Sequence, residues 1–299
     1  MSKGIIFGIL LVVVLAGGFA ALLSCKTQKT TGIYRSDDEG IFSYKVGRFE
    51  VYMLVEAQRE GNTGILVGAD ESLLQRYIPE TGFMHSTNAF LIKTPDRNVL
   101  VDTAFGGPVF EKMKKLGVEP EQVDAVLITH LHGDHFGGLQ KDGAALLPNA
   151  KIYLAAAEKK YFTETQVNEG AAAALAPYGD NVITFEPAGI DSTLKEIIPG
   201  ISPIANFGHT PGHTVYLVED GKDKLIIAGD FLHIALVQFS VPEISASYDM
   251  NKEAAAASRR QILDYAARNK IPLGGMHIVY PGIGYVEVEG KGFRFLPAN

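Results

Sequence analysis

Short apolar runs rich in β-branched residues alternate along this chain with amphipathic stretches, and their boundaries carry turn chemistry. Residues 49–55 and 63–67 read as two early strands, with Arg59-Glu60-Gly61-Asn62 as turn material between them. A short helix is expected over 71–77. Residues 88–93 and 98–102 form a hairpin around Pro95-Asp96-Arg97. Pro108 at a first turn, Val109, Met113 and Leu116 on one face, and Gly117 after the end define a second helix. Residues 125–129 read as a buried strand and 151–154 as a shorter one. Residues 155–176 have helical propensity interrupted at Gly170, as in a lid or cap.

Strands are expected again at 181–185, 215–218 and 225–228, the last two joined by the turn Asp220-Gly221-Lys222-Asp223. Residues 253–269 form an amphipathic helix, with Ile262, Leu263, Tyr265 and Ala266 inward and Arg259, Arg260 and Arg268 outward. Strands at 284–288 and 292–295 close the chain. Sheet runs separated by helices imply an α/β fold with helices packed outside sheets. The spacing alone does not show how the sheets are arranged.

The first residues have a different character. Lys3 precedes a run over 5–23 that is apolar or glycine throughout, and Leu22-Leu23-Ser24-Cys25 resembles a bacterial lipoprotein box. Residues 1–24 are therefore expected to be a signal peptide, and Cys25 the lipidated first residue of the mature chain. Residues 25–40 are polar without apolar periodicity and read as a tether. On this reading residues 41–299 form one domain, held on the bacterial envelope outside the cytoplasm by a membrane anchor. An uncleaved span is the alternative, since about 20 apolar residues cross a bilayer.

Charge and cysteine usage remove whole classes of function. A formal charge of −7 and a pI near 5.6 argue against nucleic acid as substrate, because phosphate neutralisation needs a basic surface. Cys25 is the single cysteine, so neither an intrachain disulfide nor a thiolate metal ligand is available to the domain.

What the chain does offer is His130-Leu131-His132-Gly133-Asp134-His135, directly after the strand at 125–129. Three imidazoles and a carboxylate at one strand end are a ligand set for a borderline divalent cation, and α/β proteins place their sites at such ends. Gly137-Gly138 lets the backbone turn tightly behind them. Further candidates stand at later strand–loop junctions: His213 in Gly208-His209-Thr210-Pro211-Gly212-His213-Thr214, Asp230 after 225–229, and His277 after 273–276. His209 shares the loop of His213 and reads as a loop or supporting group rather than a ligand.

Taken together, the HxHxDH signature, His213, Asp230 and His277 resemble a metallo-β-lactamase-fold metallohydrolase. The segments around Asp230-Phe231-Leu232-His233 and from Pro281 to Phe295 are similar to the methyl parathion hydrolase and lactonase branch. The resemblance implies an αββα sandwich with two divalent ions per chain, zinc first, with iron, manganese or cobalt able to occupy the same residues. It assigns His130, His132 and His213 to one ion and Asp134, His135 and His277 to the other. Asp230 bridges them, and Asp134 and Asp230 are the catalytic carboxylates. Phe231, His233, Leu236 and Phe239 are candidates for a substrate wall. The implied activity is hydrolysis of a lactone or carboxylic ester, an acyl-homoserine lactone among them, with organophosphate triesters as a side activity. A glyoxalase-type thioesterase, a β-lactamase and a non-catalytic metal-binding lipoprotein stand as alternatives.

Overall fold

The computed structural model describes Met1 and residues 39–298. Cys25 and most of the expected signal and tether lie outside the described residues. Among those described, no helix is long and apolar enough to cross a membrane. The architecture below is that of residues 39–298.

Two sheets carry it. The first holds β1 (Ile41–Val46), β2 (Phe49–Glu60), β3 (Met84–Lys93), β4 (Asn98–Val101), β5 (Ala125–Leu127), β6 (Lys151–Ala155) and β7 (Val182–Phe185), hydrogen-bonded in that order. The second holds β8 (Ile201–Ala205), β9 (Thr214–Asp220), β10 (Asp223–Ile227), β11 (Leu273–Gly274), β12 (Ile283–Glu289) and β13 (Gly292–Pro297). β4, β5, β6 and β7 run parallel to one another, as do β10 and β11; the other neighbours are antiparallel.

Strand periodicity explains how the layers stack. On β3 and β4, Phe90, Ile92, Val99 and Val101 point one way, into a core shared with Tyr216, Val218, Leu225 and Ile227 of the second sheet. Their neighbours Leu91 and Leu100 point the other way, against Val109, Phe110 and Met113 of α2 (Pro108–Lys115). In the second sheet Leu217 and Ile226 turn outward, onto Ile262, Leu263 and Ala266 of α7 (Lys252–Asn269). Both faces of both sheets are therefore buried, which produces near-continuous apolar runs in the sequence. The order of layers is α, β, β, α.

Between α2 and α7 lie α3 (Gly133–Phe136), α4 (Ala156–Lys160), α5 (Glu169–Leu175) and α6 (Ala235–Gln238); α1 (Glu71–Tyr77) precedes them. The stretch 155–176 breaks after Thr165 rather than at Gly170. The Asn168 side chain accepts the Ala171 N–H and starts α5 afresh, with Gly170 inside its first turn. Residues 63–67 are mostly not a strand. The Asn62 side chain accepts the Gly64 N–H and coils Thr63–Ile65 into a tight turn, leaving only Leu66–Val67 paired, with Ser245–Ala246. β2 instead continues through Arg59 and Glu60, which the sequence placed in a turn.

Arg259 is the largest correction on α7. It is 1% exposed, and its guanidinium donates to the carbonyls of Phe231, Pro242 and Ile244 and to Asp249. A buried arginine is tolerated because its donors find acceptors. On this helix spacing overrides charge: Arg259 lies on the same stripe as buried Ile262, Leu263 and Ala266.

Candidate metal centre

Each chemistry-bearing residue sits just past a strand end. Asp102 follows β4, His130 to His135 follow β5, His209 lies between β8 and β9, Asp230 follows β10 and His277 follows β11. The two parallel segments bring these ends to one edge of the sandwich. Close backbone approach there needs glycine: a Cβ at Gly138 would lie 2.8 Å from the Gly106 Cα.

Three imidazole nitrogens converge first. His130 Nε2 and His132 Nδ1 are 3.0 Å apart, and His209 Nε2 is 3.1 Å from each. Nitrogens sharing one tetrahedral ion at about 2.0–2.1 Å should stand roughly 3.3 Å apart, so this triangle has nearly the size of a coordination face. His209 Nδ1 lies 2.9 Å from Asp249 Oδ1. A carboxylate can only accept, so that nitrogen carries the proton and the Nε2 lone pair points at the centre.

A second group faces the first. Asp134, His135 and His277 bring ligand atoms together, with His135 Nε2 and His277 Nε2 each 3.7 Å from an oxygen of Asp134. His135 Nδ1 is 2.7 Å from Asp102 Oδ2, and His277 Nδ1 donates to the Ser86 carbonyl at 2.8 Å. Both rings therefore present Nε2 inward. Asp102 is itself held by the Thr129 N–H and hydroxyl, and its φ of 56° is a strained conformation for aspartate, kept where it orients His135.

Asp230 reaches both groups. Its Oδ1 is 3.2 Å from His135 Nε2; its Oδ2 is 3.0 Å from His277 Nε2, 3.5 Å from His209 Nε2 and 3.8 Å from His130 Nε2. His135 Nε2 and Asp230 Oδ1 are buried without a hydrogen-bond partner. Orphaned polar atoms of this kind need a compensating cation or proton. The donor chemistry fits two divalent ions: three imidazoles in one nest, two imidazoles and a carboxylate in the other, and one carboxylate between.

The electrostatics follow from burial and crowding. Burial and the neighbouring imidazoles hold His130 well below the ordinary histidine range, and His132 falls to about 4 by burial and His209. Burial also opposes a charge on His135 and His277. Asp230, with Asp102 and Asp134 for His135 and Asp134 for His277, outweighs it and raises both. Against its own desolvation, Asp230 is held well below the usual carboxylate range by His135 and His277.

Sequence reasoning exchanged two histidines. His213 stands outside both nests: its Nδ1 donates to the Asn206 carbonyl at 3.0 Å, and its Nε2 accepts the Asp230 backbone N–H at 2.9 Å. Both nitrogens are thus occupied by backbone, and burial depresses its pKa to about 3. It positions Asp230, while His209 takes the inward place expected of it. Of the expected substrate wall, His233 alone faces the cavity, with Nε2 3.3 Å from Asp230 Oδ2. Phe231 and Phe239 pack in the core beneath α7, and Leu236 is exposed away from the cavity.

Other residues had no sequence signal. Buried Glu158 accepts from Leu131 N, Thr210 Oγ1 and Gly212 N, each at 2.8 Å, and so ties the His130 loop to the His209 loop. Above the ligands opens a cavity of about 630 Å³, walled by Ala57, Arg59, His85, Thr87, Phe105 and Tyr248.

The metallo-beta-lactamase superfamily profile matches residues 83–270, more than half of the chain. This chain belongs to that superfamily. Among solved structures, it is similar to the hydrolase AbOPH of the beta lactamase superfamily: 27% identity, TM-score 0.78, covering 87% of this chain and 98% of that one. The dizinc quorum-quenching lactonase AidC, solved with the product N-hexanoyl-L-homoserine, shares the fold at 23% identity and TM-score 0.77, over 88% and 99% of the two chains. A metal-dependent hydrolase of Thermodesulfovibrio yellowstonii is 31% identical over 47% of this chain and 55% of its own. Further relatives include a hydroxyacylglutathione hydrolase of Francisella tularensis (29% identical over 43% of this chain and 42% of its own) and an N-acyl homoserine lactonase of Bacillus cereus (25% over 52% and 56%). The chain spans about half the length of these curated relatives.

Proposed function

We propose that this chain is a dinuclear metal-dependent hydrolase of lactones or carboxylic esters, with phosphotriester hydrolysis as a side activity. The observation that carries the reading is Asp230 on the floor of the cavity: its Oδ1 lies against His135 of one nest, while its Oδ2 reaches both His277 of that nest and His209 of the other. His130, His132 and His209 would hold one ion, Asp134, His135 and His277 the other, with Asp230 between. Two divalent ions held there would supply Lewis acidity for a carbonyl or phosphoryl oxygen and a water acidified toward neutral pH. The chain's own part is to fix those ligands. Asp102, Asp249 and the Ser86 carbonyl set the tautomers of His135, His209 and His277, and His213 anchors the Asp230 backbone.

Substrate charge follows from the lining. Asp134 and Asp230 would be spent on the ions, which leaves Glu60 and Arg59 as the acidic and basic side chains of the walls among the described residues. Without a basic cluster beside the ions, the walls of this acidic protein offer no added attraction to an anionic substituent, and a neutral lactone needs none. Its volume suits a small ligand of drug-like size. The lactonases among the related proteins agree with this reading. A glutathione thioester is the second reading, favoured by the Francisella relative and disfavoured by the lack of a basic cradle among the lining residues.

The test is a comparison of kcat/KM across lactones, aryl esters, glutathione thioesters, β-lactams and methyl parathion. Lactones or esters should lead. Glutathione thioesters or β-lactams leading by tenfold, about 1.4 kcal/mol of transition-state preference, would overturn the choice.

A further inference from the structure

Beside the metal ligands, one wall of the cavity is the end of a two-stranded ladder. In the antiparallel register of β2 and β3, Arg59 lies directly opposite His85, and Ala57 opposite Thr87. All four line the cavity. Side chains directly opposite across a ladder stand about 4.5–5.5 Å apart at Cβ, so Arg59 and His85 form one composite surface.

Neither side chain is used by the fold or by the centre described above. The Arg59 side chain makes no hydrogen bond or ion pair among the described residues and is exposed. His85 is 9% exposed; its Nδ1 is sealed in the wall without a partner, and its ring lies against His277 at 4.5 Å between centroids. Its remaining exposure belongs to the edge that faces the cavity. Neither ring nitrogen of His85 is bonded within the fold, so the nitrogen on the cavity edge is left to accept from a bound molecule.

Resting on the lactone and ester reading, we propose that Arg59 and His85 together determine substrate specificity. They flank a substituent that offers an acceptor on one edge and a donor on the opposite edge, of which a secondary amide is the simplest. The guanidinium donates and cannot accept, so it takes the amide carbonyl. The neutral imidazole can accept, so its cavity-facing nitrogen takes the amide N–H. Both bonds form away from the scissile carbonyl, which the floor ligands address. A site built on such a pair discriminates against a substrate lacking the group far better than an apolar wall does.

The experiment measures kcat/KM of the full chain, metal-loaded, on an N-acyl-homoserine lactone and on an alkyl lactone of equal length without the amide. The readout is the ratio of the two values. Arg59→Met and His85→Leu should each lower the ratio about tenfold, chiefly through a higher KM on the amide substrate, and His85→Asn should restore part of it by keeping a polar partner. Because Arg59 is exposed near a strand end, its variant keeps the test alive should His85→Leu fold poorly. Equal losses on both substrates, or a lower ratio only through kcat, would overturn the inference. A wild-type chain inert toward both lactones would overturn the lactone reading and this inference together.

Discussion

Asp230→Ala is expected to lower kcat/KM by on the order of a thousandfold or more. That exceeds or matches the 10²–10³ lost with a single preorganised oxyanion donor, because this carboxylate serves two ligand groups at once. Asp230 is 3% exposed, and its oxygens lie 3.2 Å from His135 Nε2 and 3.0 Å from His277 Nε2. Alanine leaves those imidazoles and His209 without the anion between them. Bound metal should fall from two equivalents toward one. The fold should survive, since the change removes a buried charge and leaves the backbone N–H bonded to His213 in place. Circular dichroism and metal analysis beside the kinetics separate these effects. Activity within tenfold of wild type would contradict the bridging role.

Glu158→Leu is the second large effect, and it falls on stability. The side chain is fully buried and accepts from Leu131 N, Thr210 Oγ1 and Gly212 N. Burial raises its pKa, so these bonds do not wholly offset the desolvation of the carboxylate. What leucine removes is the acceptor for two buried backbone N–H groups, at about 1–3 kcal/mol each, giving a total of roughly 3–5 kcal/mol. At about 2–4 °C per kcal/mol for a domain of this size, Tm should drop by roughly 6–20 °C. Activity should fall as well, because the His130 and His209 loops lose their common tie. Glu158→Gln keeps one acceptor oxygen and should lie between. A leucine variant with wild-type Tm would show that the tie is dispensable.

Much of this was legible in the chain. The apolar runs gave the strands because both sheet faces are buried, and His130 to His135 gave the centre because four ligands crowd one strand end. The exchange of His209 and His213 has a local cause. Both sit in Gly-His-Thr contexts four residues apart, and nothing in the flanking sequence says which ring turns inward. Tertiary packing decides it. Gly208 has a φ of 124° and backs onto Ala255 of α7, and Gly212 packs on Glu158 so closely that a Cβ would meet its backbone nitrogen at 2.4 Å. Asp249, which fixes the His209 tautomer, comes from a loop without any motif.

Arg259 was recoverable. It precedes Ile262, Leu263 and Ala266 by three, four and seven positions, the spacing of one helix face, and that face is the buried one. Phe231 and Phe239 misled for the opposite reason. Apolar residues next to a site in sequence are as well suited to the core behind it, and here they pack against each other beneath α7.

The central claim is that two ions, shared through Asp230, make this chain a hydrolase. It is tested most directly by stripping the protein with chelator and titrating zinc back while following bound metal and lactone or ester hydrolysis together. The account predicts no activity in the stripped protein and recovery that is complete only at two equivalents per chain. Hydrolysis that survives chelation, or that is complete at one equivalent and gains nothing from the second, would contradict it.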